Sequence, residues 1–186
     1  VLLNFYSKRV AYNMIKYLYI ILLSGLLHSC YTFTGASLDK NVKTIQINEF
    51  MDNSPLKNPT LAQRFSIDIQ NRFLQRTTLK GTKNNPDILI EGEIVEYTPT
   101  MPVSVSSNAI TNNTGGLIQT SQNKMVIRIK VHYENKIEPQ KNFDRTYSDE
   151  AVYSSELSIN QIEDEQTKIV IDRIINKIFN DIIADW

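Results

Sequence analysis

Residues 125–133 alternate between two characters. Met125, Ile127, Ile129, Val131 and Tyr133 are apolar, and Val126, Arg128, Lys130 and His132 stand between them. Successive side chains of a strand point to opposite faces. The segment therefore reads as a strand with one face in a core and the other in water. A sheet covered on one side only needs a single second layer, and the rest of the chain must supply it.

The other elements follow from period and punctuation. Val42–Phe50 reads as a strand through Ile45 and Ile47, and Met51–Pro59 as a loop rich in Pro and Asn. Thr60-Leu61-Ala62-Gln63 has a capping-box pattern. Leu61, Phe65, Ile69 and Phe73 follow at four-residue spacing, one stripe of a helix that ends near Thr77–Gly81. Asp87–Thr98 reads as a strand with Ile88, Ile90 and Ile94 on one face and Leu89, Glu91, Glu93, Val95 and Tyr97 on the other. Were this strand to neighbour 125–133, Glu91 and Glu93 would pair with Arg128 and Lys130 on a wet face. Asn135–Asn142 is a polar turn, and Phe143–Tyr153 reads as another strand. Helix-start signals at Ser158–Gln161 and Asn160–Glu163 open a last helix.

The expected fold is α+β: a two-layer sandwich, two helices on one face of a four-stranded mixed sheet, in the order β-α-β-β-β-α. The first strand–helix–strand unit is expected to join parallel neighbours. Three features exceed this plan. On the last helix Ile171, Ile174, Ile175, Ile178, Phe179, Ile182 and Trp186 share an arc of roughly 140° at about 100° per residue, leaving Ile169, Val170 and Ile183 outside it. The arc is either a broad core stripe or, through Ile178, Ile182 and Trp186, a partner surface. Thr98–Asn123 carries no charge and reads as a long polar loop, either mobile or ordered by a ligand or partner, with 113–116 suited to a tight turn. Arg64, Arg72, Arg76 and Lys80 cluster on the first helix and its exit, followed by Lys83. They are either a solvated face or contacts for anionic lipid head groups.

The N-terminus reads as an address. Residues 1–29 hold Lys8, Arg9 and Lys16 and no acid, and 17–27 is apolar and uncharged. That run is shorter than the about 20 residues needed to span a bilayer as a helix. With the basic residues before it, it has the form of a secretory signal, for which Met14 is the expected start. Leu27-His28-Ser29-Cys30 resembles a bacterial lipobox, with cleavage between Ser29 and Cys30 and lipid attached to the Cys30 sulfur. Acyl chains there contribute about 0.8 kcal/mol per buried CH₂, enough for durable anchoring. The expected organisation is a signal at 1–29, a lipidated tether at 30–40 and one sandwich domain at 41–186.

Composition excludes several chemistries. The 20 basic residues balance the 20 acidic ones, so the positive excess needed for nucleic-acid binding is missing. One cysteine cannot build a disulfide framework, and two histidines leave little for a His/Cys metal site. No HExxH, GxSxG, GxxxxGK[ST] or GxGxxG pattern occurs. Glu91, Glu93 and Glu96 lack any sign of the burial that raises a carboxyl pKa. His132 falls on the outward register, and Glu163, Asp164 and Glu165 suit a helix start electrostatically. No catalytic residue, metal or cofactor is expected.

Cys30, the stretch Tyr31-Thr32-Phe33-Thr34-Gly35-Ala36-Ser37, the strand Val42–Phe50, Asn58-Pro59-Thr60-Leu61 at a helix start, and a long final helix closed by Trp186 together resemble one family. It is that of the outer-membrane lipopolysaccharide-assembly lipoproteins, the LptE-like family. The resemblance implies a two-helix, four-stranded sandwich anchored to the inner leaflet of the outer membrane. It implies a place inside the lumen of the LptD-type β-barrel, as plug and assembly factor, and binding of lipopolysaccharide itself. Among its site residues only Cys30 carries over. Tyr31–Leu38 holds no acid, which favours a periplasm-facing anchor. Two other roles stay open on sequence alone: a periplasmic lipoprotein adaptor that activates a cell-wall synthase or another envelope machine, and an envelope hydrolase.

Overall fold

A computed structural model describes residues 38–107 and 118–183. The first strand, β1 (Thr44–Ile47), is followed by the two-residue strand β2 (Met51–Asp52). Helix α1 (Pro59–Arg76), the two-residue strand β3 (Lys80–Gly81) and the long strands β4 (Ile88–Ser107) and β5 (Ile118–Asn135) come next. A single turn of 3-10 helix (Pro139–Lys141), strand β6 (Phe143–Ser154) and helix α2 (Ile159–Ile183) complete the described chain. The strands form one mixed sheet in the order β3-β1-β4-β5-β6, with β2 also on β4. Pairs β1–β3, β1–β4 and β2–β4 are parallel, and β4–β5 and β5–β6 antiparallel. The α+β fold, with two helices against a mixed sheet, is the expected one. Among the described residues the sheet has six strands instead of four, because β2 and β3 are too short to leave a periodic signal.

The core lies between the helices and one face of the sheet. Ile88, Ile90 and Ile94 of β4, all five alternating residues of β5, and Tyr147, Ala151 and Tyr153 of β6 are buried there. Leu61, Phe65, Ile69 and Phe73 are the buried stripe of α1, as spaced. The rings of Phe73 and Phe179, 5.1 Å apart, join the two helices. Each fully buried side chain of this size contributes about 1.5–3 kcal/mol.

Local chemistry departs from the sequence reading in three places. Helix α1 begins one residue before the Thr60 capping box. Its cap is Asn58, whose Oδ1 accepts the Leu61 N–H at 3.0 Å, with Pro59 in the first turn. Asp52 fixes that cap by accepting the Asn58 N–H, and its other oxygen accepts the Ser54 N–H at 2.9 Å. Tyr97, expected on the wet face, is buried. The β4–β5 register slips between Ile94 and Glu96, so Val95 is an extra residue that reverses the parity of Glu96 to Thr98, until a second shift before Met101 restores it. Val170, outside the expected arc of α2, is fully buried, since a helix lying on a twisted sheet is covered over more than one stripe.

The segment read as a polar loop is also a correction. After a register shift between Thr98 and Met101, Met101–Ser107 and Ile118–Lys124 carry the antiparallel ladder on, unbroken, to Ser107↔Ile118. Beyond Gln122↔Ser154 no third strand accompanies them among the described residues, leaving a two-stranded ribbon. The turn expected at 113–116 lies outside the described residues.

Candidate functional site

The face of the sheet away from the helices carries most of the sequence's candidate polar groups. Register aligns Glu91, His132 and Asp144 in one row, and Glu93, Lys130 and Thr146 in the next. Glu96, Arg128 and Ser148 form a third row, brought into line by the bulge at Val95. The strands are neighbours as expected, but the ion pair across them is Arg128 with Glu96 at 2.9 Å, brought opposite by that bulge, in place of the pairs expected of Glu91 and Glu93. Glu91 instead accepts the side-chain amide of Asn48 at 2.8 Å, and Glu93 that of Asn53. His132 Nδ1 lies 3.0 Å from Asp144 Oδ1, and Lys124 lies 2.7 Å from Glu150. A shallow groove of about 390 Å³ sits where β1 hands over to β2, lined by Asn48, Met51, Glu91, Glu93, Lys130 and His132. Glu91, Glu93, Glu96, Asp144 and Glu150 each meet a donor, so much of this wet surface is a set of weak exposed pairs.

The groove's floor has a structural cause. A Cβ built on Gly92 would fall 2.1 Å from the Lys130 carbonyl oxygen and 2.6 Å from Cε1 of Phe50. Phe50 leaves the sheet between β1 and β2 and packs edge-on against Phe65, centroids 4.8 Å apart. Its N–H donates to the Ser66 hydroxyl at 2.9 Å. Gly92 thus makes room for the ring that closes the core at this edge.

Two buried phenols invite an acid–base reading, but geometry gives them a structural part. Burial, together with the Glu163 carboxylate that its OH meets, pushes the Tyr97 phenol well above its usual range. Burial and the Asp181 carboxylate, 2.8 Å away, do the same for Tyr147. Both stay protonated donors that tie α2 to the sheet. Arg145–Asp181 at 2.9 Å and Lys177–Asp149 at 2.8 Å extend that seam along β6. Burial alone would raise the Asp149 carboxyl, but Lys177, the Glu150 amide and Arg173 outweigh it and hold it low. Among the described residues no group of His, Cys, Asp and Glu could hold a metal ion.

The basic residues of α1 do not form one patch. Arg64 lies 3.9 Å from Asp68 one turn on, and Arg72 donates to Asn176 of α2. Arg76 and Lys80 are exposed near the β3 edge. Of the expected partner surface, Ile178 and Ile182 are buried in the core against the sheet. They are core residues because α2 lies flat on β5 and β6. Trp186, Ser29 and Cys30 lie outside the described residues.

The feature that sequence reasoning missed is the ribbon. Its signal was present: Val103 and Val105 alternate with Ser104 and Ser106. Pro99 and Pro102 obscured it, although a proline is tolerated at a strand edge. From Thr98 to Asn123 it carries no charge. No described helix is long and apolar enough to cross a membrane.

A family model for LptE, lipopolysaccharide-assembly, matches residues 42–185. No curated protein matches the chain by sequence. Among solved structures, the chain is similar to a minor lipoprotein from Acinetobacter baumannii, with 15% identity, 76% of this chain and 92% of that chain covered, and a TM-score of 0.43. A hypothetical protein from Chlamydia trachomatis matches with 11% identity, coverage of 77% and 99%, and a TM-score of 0.49. A PelC dodecamer from Paraburkholderia phytofirmans matches with 8% identity, coverage of 82% and 94%, and a TM-score of 0.45.

Proposed function

The chain belongs to the LptE lipopolysaccharide-assembly family, and on that premise we propose that it is a lipid-anchored, non-enzymatic subunit of the lipopolysaccharide translocon. The family match over 42–185 carries the reading. In it, residues 1–29 are a signal removed before Cys30, Cys30 bears the lipid, and 30–40 tether the sandwich domain 41–186 to the periplasmic side of the outer membrane. The domain serves as plug and assembly factor for an LptD-type β-barrel, and lipopolysaccharide is its ligand.

Two features of the fold support a role inside a larger machine. Most polar groups of the wet sheet face bond to one another, which suits an inert wall. The β4–β5 ribbon runs past the last pair that β6 makes with β5. A ribbon without charge can enter a narrow lumen without the cost of stripping water from ions.

The test is recovery of the barrel from detergent-solubilised outer membranes, paired with depletion and an assay of lipopolysaccharide at the cell surface. A large β-barrel protein should co-purify, and depletion should cut surface lipopolysaccharide. Recovery of no barrel, with normal surface lipopolysaccharide on depletion, overturns the reading. Val103 faces Gln122 in the register, so residues 104–121 can be replaced by an Asn-Gly turn. That variant should melt like the parent and lose most of the co-purifying barrel.

A further inference from the structure

Strand β3 covers only half of β1. Lys80 N–H donates to Lys43 O and Thr82 N–H to Ile45 O, both at 2.9–3.0 Å, so odd-numbered residues of β1 turn their backbone groups toward this edge. Asn48, an even residue, instead donates to Ile90 O on β4. Ile47 continues the outward set, Glu49 follows just past the end of β1, and no backbone group meets either on this side among the described residues. An open sheet edge of this kind is a template for another strand.

A groove of about 550 Å³ lies along that free edge. Ile45 and Ile47 line it from the sheet, Gln70 from α1, and Gly81, Thr82 and Lys83 from the segment leaving β3. On the same face of α1 as Gln70 stand Ile67 and Leu74, two large apolar side chains 50% and 36% exposed. A free edge, a channel of mixed polar and apolar lining beside it, and a helix wall are parts that serve when an extended peptide is bound by strand addition. The charge around it is one-sided at the β3 end. Arg76, Lys80 and Lys83 are exposed there, and none has an ion pair among the described residues.

The geometry points to this groove as a docking site for an extended polypeptide segment of a partner protein. The segment lies beside β1 as an added strand bonded to the backbone of Ile47 and Glu49. It places an apolar side chain between Ile47 and the Ile67–Leu74 face, and an acidic side chain against Lys80 and Lys83. Glu49 at the opposite end of the groove sets its direction, repelling an acid there. This surface stands on its own, whatever the partner's identity, and is separate from the uncharged ribbon.

The probe is a blocked five-residue peptide of alternating aspartate and valine, titrated into the isotope-labelled full chain while amide resonances are followed. The peptide should shift the amides of Ile47, Glu49 and Lys83. Doubly exchanging Lys80→Glu and Lys83→Glu should weaken it by about tenfold or more, equivalent to about 1.4 kcal/mol, with the other amide positions unchanged. N-methylation of the valines should abolish binding, because it removes the strand's hydrogen bonds. The proposal is overturned if the Ile47 amide stays fixed at about 1 mM peptide, the weak end of association, or if a lysine–valine peptide binds equally. Vesicles containing phosphatidylglycerol that shift Lys80 and Lys83, with the peptide leaving Ile47 unmoved, would make the cluster a lipid contact and overturn it too.

Discussion

Gly92 is where a single methyl group should do the most harm. Ordinary contact begins at 3.4 Å, whereas a Cβ at Gly92 would lie 2.1 Å from a backbone oxygen and 2.6 Å from the Phe50 ring. The ring can tilt only by disturbing Phe65, and the Phe50 backbone can retreat only by straining the bond from its N–H to Ser66. The Lys130 carbonyl can move only by loosening the β4–β5 ladder. Overpacking a filled site costs about 1–3 kcal/mol, and a weakened ladder bond adds about 1 kcal/mol. Gly92→Ala should therefore cost about 3 kcal/mol, which for a domain of this size lowers the melting temperature by on the order of 10 °C. Thermal melting followed by far-ultraviolet circular dichroism reads it directly. The double variant Gly92→Ala with Phe50→Ala should lose less than the two single losses added together, because one of the two clashes is then gone. A melt for Gly92→Ala within about 2 °C of the parent, or strict additivity in the double variant, would refute the packing argument.

Two further expectations are simpler. The amides of Lys43 and Thr44 and the Thr44 hydroxyl, all bonded to one oxygen of Asp87, hold its carboxyl below the usual 3.8, against the opposing effect of burial. A depressed folded pKa stabilises the fold above the unfolded value and loses that stability as pH falls through the folded one. The parent should therefore lose stability below about pH 4, and Asp87→Asn should be weaker at neutral pH with a flatter acid limb; an unchanged limb counts against it. Cys30→Ser should leave the protein unprocessed or released from membranes, as judged by mature mass and fractionation, and unchanged size with full membrane retention would remove the anchor from the proposal.

The sheet and both helices were legible because their residues obey a single period over many positions. Met125 to Tyr133 and Leu61 to Phe73 are the clearest cases. Tyr97 falls on the other face because one extra residue, Val95, leaves no mark in composition yet reverses the faces of Glu96 to Thr98. Asn58 was overlooked as a cap because Thr60 offers the same chemistry two residues later, and only the Asp52 contact decides between them. Ile178 and Ile182 could not be sorted between core and surface, since helical spacing tells which residues share a side and not what covers it. The ribbon reads as a loop because the Val103–Val105 alternation is brief and follows Pro99 and Pro102, while the serine, asparagine and threonine around it keep no apolar rhythm. The β1 edge groove left no trace at all, for it depends on how early β3 turns away.

The absence of ions along the ribbon also bears on how an encounter there would proceed. Dissolved salt weakens attractions between separated charges over a Debye length of about 10 Å at 0.1 M, but it has nothing to screen between Thr98 and Asn123. Long-range steering is likewise missing, so capture through this ribbon relies on short-range fit after collision. Its rate should hold steady from dilute to concentrated buffer, whereas any contact through Lys80 and Lys83 should slow as ionic strength climbs. One molecule thus carries two surfaces that a simple salt series can tell apart.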